Sequence, residues 1–366
     1  MDGRNRRDDV RTTATAAAVA AVLAAAMGIV ACGATSSDAP PAHRTLRELA
    51  DSKRLLLGAA ANASHLGEST YTDTLAREFN MLEAENEMKL GPLRPAEGTF
   101  SWAAADALVA FAESRQMKVR GHTFVWHQSL PAWLSTRSPA QLEAILRDHI
   151  TTVAQRYRGR VFAWDVANEV FNPDNGTLRS SLWRDQPGIG LGTGTAYVEQ
   201  AFRWAAAADP GAILFYNDFN AEVVNSKSNA VYAMVQDFQR RGVPIHGVGL
   251  QMHRTLTPID AASLEANIRR LTDLGLEVHI TEMDVRVPVD ASGAASAADL
   301  QAQAQIYDTV VAACLKFPRC TAIQTWGVSD RYSWIPGAFP GFGAGLLFDA
   351  SYREKPAAAS VRDRLD

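Results

Sequence analysis

Cysteine is scarce: 366 residues carry only 3. A disulfide-dense scaffold or a four-cysteine zinc ribbon is therefore excluded. Basic excess is missing too. Lys and Arg total 36 against 40 Asp and Glu, a net charge of -4, so no basic face exists to follow a phosphate backbone. Nucleic acid is not an expected partner. Spaced glycines are absent after the first candidate strand, where Leu57-Gly58-Ala59-Ala60 offers no dinucleotide loop. No Gly-x-Ser-x-Gly elbow is present for a serine nucleophile. No solenoid-period repeat and no second domain boundary interrupt the chain. What is there is ordinary globular composition, 47% hydrophobic and 21% charged, with 8 Trp and 8 Tyr.

The N-terminus reads as a targeting segment. Arg4, Arg6, Arg7 and Arg11 precede an uncharged, Ala-rich run from Thr12 to Ser37. A basic start, an apolar middle and small residues at the cut describe a signal for export. Cys32 directly follows Ile29-Val30-Ala31, an order similar to a bacterial lipobox, which makes Cys32 the expected lipidation site. Residues 1–31 are thus expected to be a lipoprotein signal, leaving a membrane contact through the lipid anchor only; the alternatives are a non-cleaved membrane anchor and an ordinary signal with an incidental Cys, which would leave the protein secreted. Residues 32–45 are small, polar and Pro-containing, a linker composition, and 46–366 are expected to form one catalytic domain. In an oxidising compartment Cys314 and Cys320, five residues between them, suit a short-loop disulfide. Zinc is the competing reading, although no further Cys or His is spaced to complete four ligands.

From Leu46 onward short apolar strands alternate with amphipathic helical stretches. Candidate strands are Leu55–Ala60, Phe79–Glu83, Lys118–Thr123, Val161–Val166, Ile213–Tyr216, Val248–Gln251, Glu277–Thr281 and Ala322–Thr325. Helical patterns between them include Pro139–Tyr157, Ala196–Ala208 and Leu264–Leu274. Alternation implies parallel pairing, and near-continuous apolar strands imply burial on both faces. Eight units in about 320 residues predict a single (β/α)8 TIM barrel rather than an open doubly wound sheet.

In such a barrel the C-terminal strand ends face the active site. Taken singly, a Glu after a strand is usually an ion-paired or capping residue, and a lone Trp is usually core. Here every strand after the first delivers polar or aromatic groups at the same end. Glu169 and Glu282 end the fourth and seventh strands, across the barrel mouth from one another. A carboxylate pair flanked by aromatic platforms suits cleavage of a glycosidic bond. A barrel metallohydrolase would draw on His122, His127 and His253, but the first strand has no His-x-His and no bridging lysine is evident. No metal and no cofactor are expected.

Seven stretches, in order, resemble the signatures of family 10 glycoside hydrolases. They are Glu85-Asn86-Glu87-Met88-Lys89, Arg120-Gly121-His122-Thr123, Trp164-Asp165-Val166-Ala167-Asn168-Glu169, Tyr216-Asn217-Asp218-Phe219-Asn220, Gly249-Leu250-Gln251-Met252-His253, Ile280-Thr281-Glu282-Met283-Asp284 and Thr325-Trp326-Gly327-Val328-Ser329-Asp330. The resemblance implies a retaining endo-β-1,4-xylanase on a (β/α)8 barrel, acting on xylan and xylo-oligosaccharides without a metal. Glu169 would be the acid/base and Glu282 the nucleophile. Asn168, Asp165, His253 and Asp284 would support them. Glu85, Asn86, Lys89, His122, Trp126, Tyr216, Asn217, Gln251, Trp326 and Trp334 would bind substrate. It also implies the Cys314–Cys320 disulfide. A monomer is expected. One departure falls after the third strand, where the family's Trp-His-x-Gln reads Trp126-His127-Gln128-Ser129, which puts the preference for xylose over glucose in doubt. The rivals are a sugar-binding lipoprotein without activity and an endo-glycanase for another β-1,4 backbone.

Overall fold

The computed structural model describes residues 43–192 and 194–366. The expected signal, Cys32 and nearly all of the expected linker lie outside them. Thr45 already belongs to the fold: it caps the helix Leu46–Lys53 in a capping box with Glu48.

Eight strands form the barrel: β1 (Leu56–Ala61), β2 (Met81–Ala84), β3 (Lys118–Val125), β4 (Ala163–Asn168), β5 (Ile213–Asp218), β6 (Gly247–Leu250), β7 (Glu277–Val285) and β8 (Cys320–Thr325). Neighbours pair in parallel in sequence order, and β8 pairs β1 with Leu56 opposite Ala322, which closes the cylinder. Every expected strand is found, several of them running two to four residues further at the C-terminal end. In β4, β5 and β7 polar residues that end the apolar runs are still paired in the ladder, as at Asn168 opposite Asn217, while β3 runs on through Phe124 and Val125.

Helices pack outside. Pro139–Arg156 shows why they form: Ser138 and Gln141 build a capping box, Pro139 opens the first turn, and Leu142, Leu146, Ile150 and Val153 bury one face. Close packing onto the strands leaves little slack. A Cβ at Gly121 would lie 2.1 Å from the Trp164 ring, so only glycine lets that indole cross the strand.

The inside of the barrel is polar rather than aliphatic. Arg120, fully buried, donates twice to Asp165 and through Nη1 to His279 Nδ1 at 2.8 Å. Arginine can only donate, so His279 carries its proton on Nε2 and gives it to Thr321 Oγ1 at 2.8 Å. Burial pushes His279 down to about 4, which keeps it neutral. Gln324 donates to Glu83 and, at 2.7 Å, to the Thr281 carbonyl. This plug fixes the floor on which the cleft stands.

Cys314 and Cys320 are joined by a disulfide, which ends the zinc alternative for this pair. The bond lies where a helix returns to the start of β8, at the barrel end opposite the polar strand termini.

Candidate active site

A cavity of about 510 Å³ opens at the C-terminal strand ends. Its lining brings together Glu85, Asn86, Lys89, His122, Trp126, Asn168, Glu169, Gln251, His253, Glu282, Trp326 and Trp334, contributed by segments far apart in the chain.

Glu282 sits on β7 and is almost enclosed. Asn217 Nδ2 donates to its Oε1 at 2.6 Å, and His253 Nε2 to its Oε2 at 3.1 Å. The other ring nitrogen of His253 donates to Asp284 Oδ2 at 2.9 Å, and Trp334 Nε1 donates to that same oxygen at 2.8 Å. Burial alone would lower the imidazole's proton affinity, but Asp284 and Glu282 outweigh it and hold His253 well above its ordinary range. Burial likewise pushes Glu282 up. The hydrogen bond from His253 and the nearby imidazoles overcome it, so the carboxyl lies below its usual range. This glutamate is an anion pinned at both oxygens.

Glu169 follows β4 with φ at +57°. That left-handed turn is costly for a side chain bearing a Cβ, and the surroundings impose it. Its N–H donates to the Asn217 carbonyl at 3.0 Å, its carbonyl accepts from Arg179 Nε at 3.0 Å, and the next N–H donates to the Tyr216 hydroxyl at 3.1 Å. The carboxylate itself is lightly held, by Gln251 Nε2 at 3.2 Å and Asn168 Nδ2 at 3.4 Å, with His127 3.8 Å away.

Asn217 orients the middle of the site. It donates to Glu282 and accepts from Thr281 Oγ1 at 2.7 Å, so its Nδ2 also faces Asn168 Oδ1 at 3.0 Å. Gln251 Nε2 meets the same Asn168 oxygen at 3.0 Å. With its oxygen doubly engaged, Asn168 turns the other end of its amide toward Glu169 Oε1, 3.4 Å away, and toward Trp126 Nε1 at 3.3 Å.

Not every expected substrate residue reaches the cavity. Tyr216 is fully buried, its hydroxyl donating to Asp218 and accepting from the Val170 N–H, and Asn217 is fully buried as well. Both lie outside the lining and act through Glu169 and Glu282. The polar strand end placed them correctly, but as consecutive strand residues they face opposite ways, Asn217 toward Glu282 and Tyr216 toward Asp218, and neither reaches the cavity surface. Asp165 lies under His122, accepting from its Nδ1 at 3.0 Å, in the polar plug and without contact to Glu169.

Other site residues were given no role by the sequence: Gln128, Phe219 and Asn220 stand within stretches compared with the family, while Arg286 and Phe339 carried no signal. Gln128, Phe219, Asn220, Arg286 and Phe339 also line the cavity. Of the two residues at the departure from the family pattern, Gln128 is in the lining. Ser129 turns away with φ at +53°, its carbonyl accepting from Gly91 N at 2.8 Å. Glu83 lies buried beneath the cavity; burial and the Asp165 charge hold its carboxyl well above the usual range.

Among the described residues one trio, Glu83, His122 and Glu282, has donor atoms within 4.8 Å of one another. Hydrogen bonds account for it. Both Glu282 oxygens accept from Asn217 and His253, and His122 Nδ1 is engaged by Asp165.

Lys89 completes one wall. Its Nζ donates to Asn86 Oδ1 at 3.0 Å and lies over Trp126 and Trp326, 4.9 and 5.5 Å from the ring centroids. An open, aromatic-walled cavity with one pinned carboxylate and one lightly held carboxylate is the equipment of a glycoside hydrolase.

The chain belongs to glycosyl hydrolase family 10, whose model matches residues 45–364. It is 40% identical to endo-1,4-beta-xylanase B of Thermotoga neapolitana over 88% of this chain and 91% of that protein. An endo-1,4-beta-xylanase of Agaricus bisporus is 36% identical over 84% of this chain and 90% of its own length. Xylanase 10B of Thermotoga maritima superposes with a TM-score of 0.83 at 41% identity, covering 88% of this chain and 98% of that one. Xylanase 10B of Thermotoga petrophila, solved with xylobiose, gives the same TM-score and identity, over 88% and 97%.

Proposed function

We propose that this glycoside hydrolase is an endo-β-1,4-xylanase that retains anomeric configuration through a covalent intermediate. The single observation that carries the chemistry is the contrast between the two carboxylates. Glu282, held ionised by His253 and Asn217, is equipped to attack the anomeric carbon. Glu169, lightly hydrogen-bonded, is equipped to give a proton to the departing glycosidic oxygen and later to take one from water. Retention requires their carboxyl groups about 5–5.5 Å apart. The xylan specificity rests on the relatives named as endo-1,4-beta-xylanases and on the xylobiose-bound neighbour.

Within this reading Asn168 donates to the 2-hydroxyl of the sugar at the cleavage point, a contact that strengthens in the transition state. Glu85, Asn86 and Lys89 hold hydroxyls on the same wall, and Trp326 and Trp334 stack on sugar faces. The enzyme is exported and anchored through acylated Cys32, the segment 33–44 giving the barrel reach toward insoluble polymer.

Three assays test this. Release of reducing ends from xylan but not from a soluble β-1,4-glucan separates a xylanase from a glucanase and from a binding protein. Proton NMR of the first product must show the β anomer; an α product means inversion. Wild-type protein must partition with membranes and Cys32→Ser must be released or left uncleaved; an unmodified mature N-terminus elsewhere rejects the anchor.

A further inference from the structure

We propose that Arg286 recognises the carboxylate of a uronic-acid branch on xylan, so that the enzyme favours acid-decorated over neutral polymer. This deepens the xylanase reading and rests on it. Two lysine or arginine side chains line the cavity, Lys89 and Arg286, and their situations differ. Lys89 is buried among carboxylates, with Glu282 and Glu85 the nearest to it in effect. Arg286 is half-exposed and has no ion pair and no side-chain hydrogen bond among the described residues.

The guanidinium is nonetheless held in place. It lies over the Phe339 ring, 4.0 Å from the centroid. Phe339 in turn packs edge-on to Trp334 at 5.5 Å, and Trp334 to His253 at 5.1 Å. The Arg286 N–H donates to the Arg254 carbonyl at 3.0 Å, fixing the backbone just past β7. An aromatic wall therefore carries a positioned, unpaired fork of donors along the cleft from the nucleophile.

Neutral xylose hydroxyls do not require a full positive charge. A carboxylate does match the planar fork, through two parallel N–H···O bonds. The rest of the cavity is acidic, with Glu85, Glu169 and Glu282 repelling an anionic branch, so Arg286 marks the place where such a branch is accepted.

The test compares kcat/KM on three substrates: glucuronic-acid-decorated xylan, the same polymer with its carboxyls chemically reduced to alcohols, and linear xylo-oligosaccharide. Wild-type protein should prefer the acidic polymer over its reduced form, and added salt should shrink that preference. Arg286→Gln should lower the acid-to-reduced ratio about fivefold to tenfold, and Arg286→Lys should restore part of it. A ratio that stays within about twofold of wild type in Arg286→Gln overturns the proposal, as does a wild type indifferent to carboxyl reduction. Equal losses on all three substrates also overturn it, because they assign Arg286 to the neutral backbone. Failure of the xylanase reading is distinct: linear xylo-oligosaccharide is then not cleaved by wild type at all.

Discussion

Glu282 and Glu169 share one cavity and one residue type, yet their surroundings are opposites. Glu282 lies inside the ladder of β7, both oxygens engaged by donors whose own partners are fixed in turn. Glu169 stands one residue past the end of β4, its backbone clamped by Asn217, Arg179 and its neighbour's bond to Tyr216, its carboxylate left with two long contacts. The lesson is a division of restraint. A group that must stay ionised is held by its side chain. One that, on the proposed mechanism, exchanges a proton twice is held by its main chain, which fixes position and leaves the oxygens free.

The strongest way to break this comparison is to remove each carboxylate. Glu169→Ala should lose about 10²–10⁴-fold on xylan but much less on an aryl glycoside whose leaving group needs little protonation. Glu282→Ala should lose activity on both, and azide should rescue Glu169→Ala alone. Rescue of both variants to the same anomer would erase the contrast.

Next comes the support of the anion. His253→Gln removes the charged donor that holds Glu282 below its usual range, so the carboxyl should titrate higher than in the wild type. Activity needs the ionised form. The acid limb of kcat/KM should therefore move up in pH, with activity lost earlier as the pH falls; an unmoved limb means Asn217 alone suffices.

The region behind Glu169 has its own test. Asp218, buried, is pushed up to about 7 by desolvation against the opposing pull of Lys227, 2.6 Å away. Its folded form keeps a proton that the unfolded chain releases near pH 4. Stability from this group is full below that point and is lost as the pH rises through about 7. Asp218→Asn should flatten that slope in urea titrations, because the amide carries no titrating proton. Parallel curves for the two proteins would refute the assignment.

Away from the cleft, opening the short Cys314–Cys320 loop with the pair of alanine substitutions should cost about 2 kcal/mol, read as a lower melting temperature. The acid limb should not move. The smallest effect concerns sugar choice. Gln128→Ala should weaken the preference for aryl xylobioside over cellobioside by about 1 kcal/mol. Ser129→Gln, pointing outside the lining, should leave the ratio near wild type.

Much of this was legible from sequence. Near-continuous apolar runs ending in polar residues placed all eight barrel strands, and the order of Asn168-Glu169 and Glu282-x-Asp284 placed the carboxylates at one rim. The misses share a physical cause. Tyr216 and Asn217 end a strand like the others, but the pleat sends them to opposite faces, Asn217 to Glu282 and Tyr216 to Asp218, and packing covers both. Gln128 and Ser129 differ by one step along a loop, where a left-handed turn, not spacing, selects the lining residue.

By itself the sequence determined the barrel, its direction and the chemical types at its mouth, because local periodicity and strand-end polarity are properties of neighbouring residues. Tertiary structure decided the rest. The low position of Glu282 depends on His253 and Asn217, which are 29 and 65 residues away, and the unpaired charge of Arg286 depends on Phe339 and on the acids that do not reach it. Proton affinity and pairing are set by distance through space in a poorly polarisable interior, and chain separation carries no record of that distance.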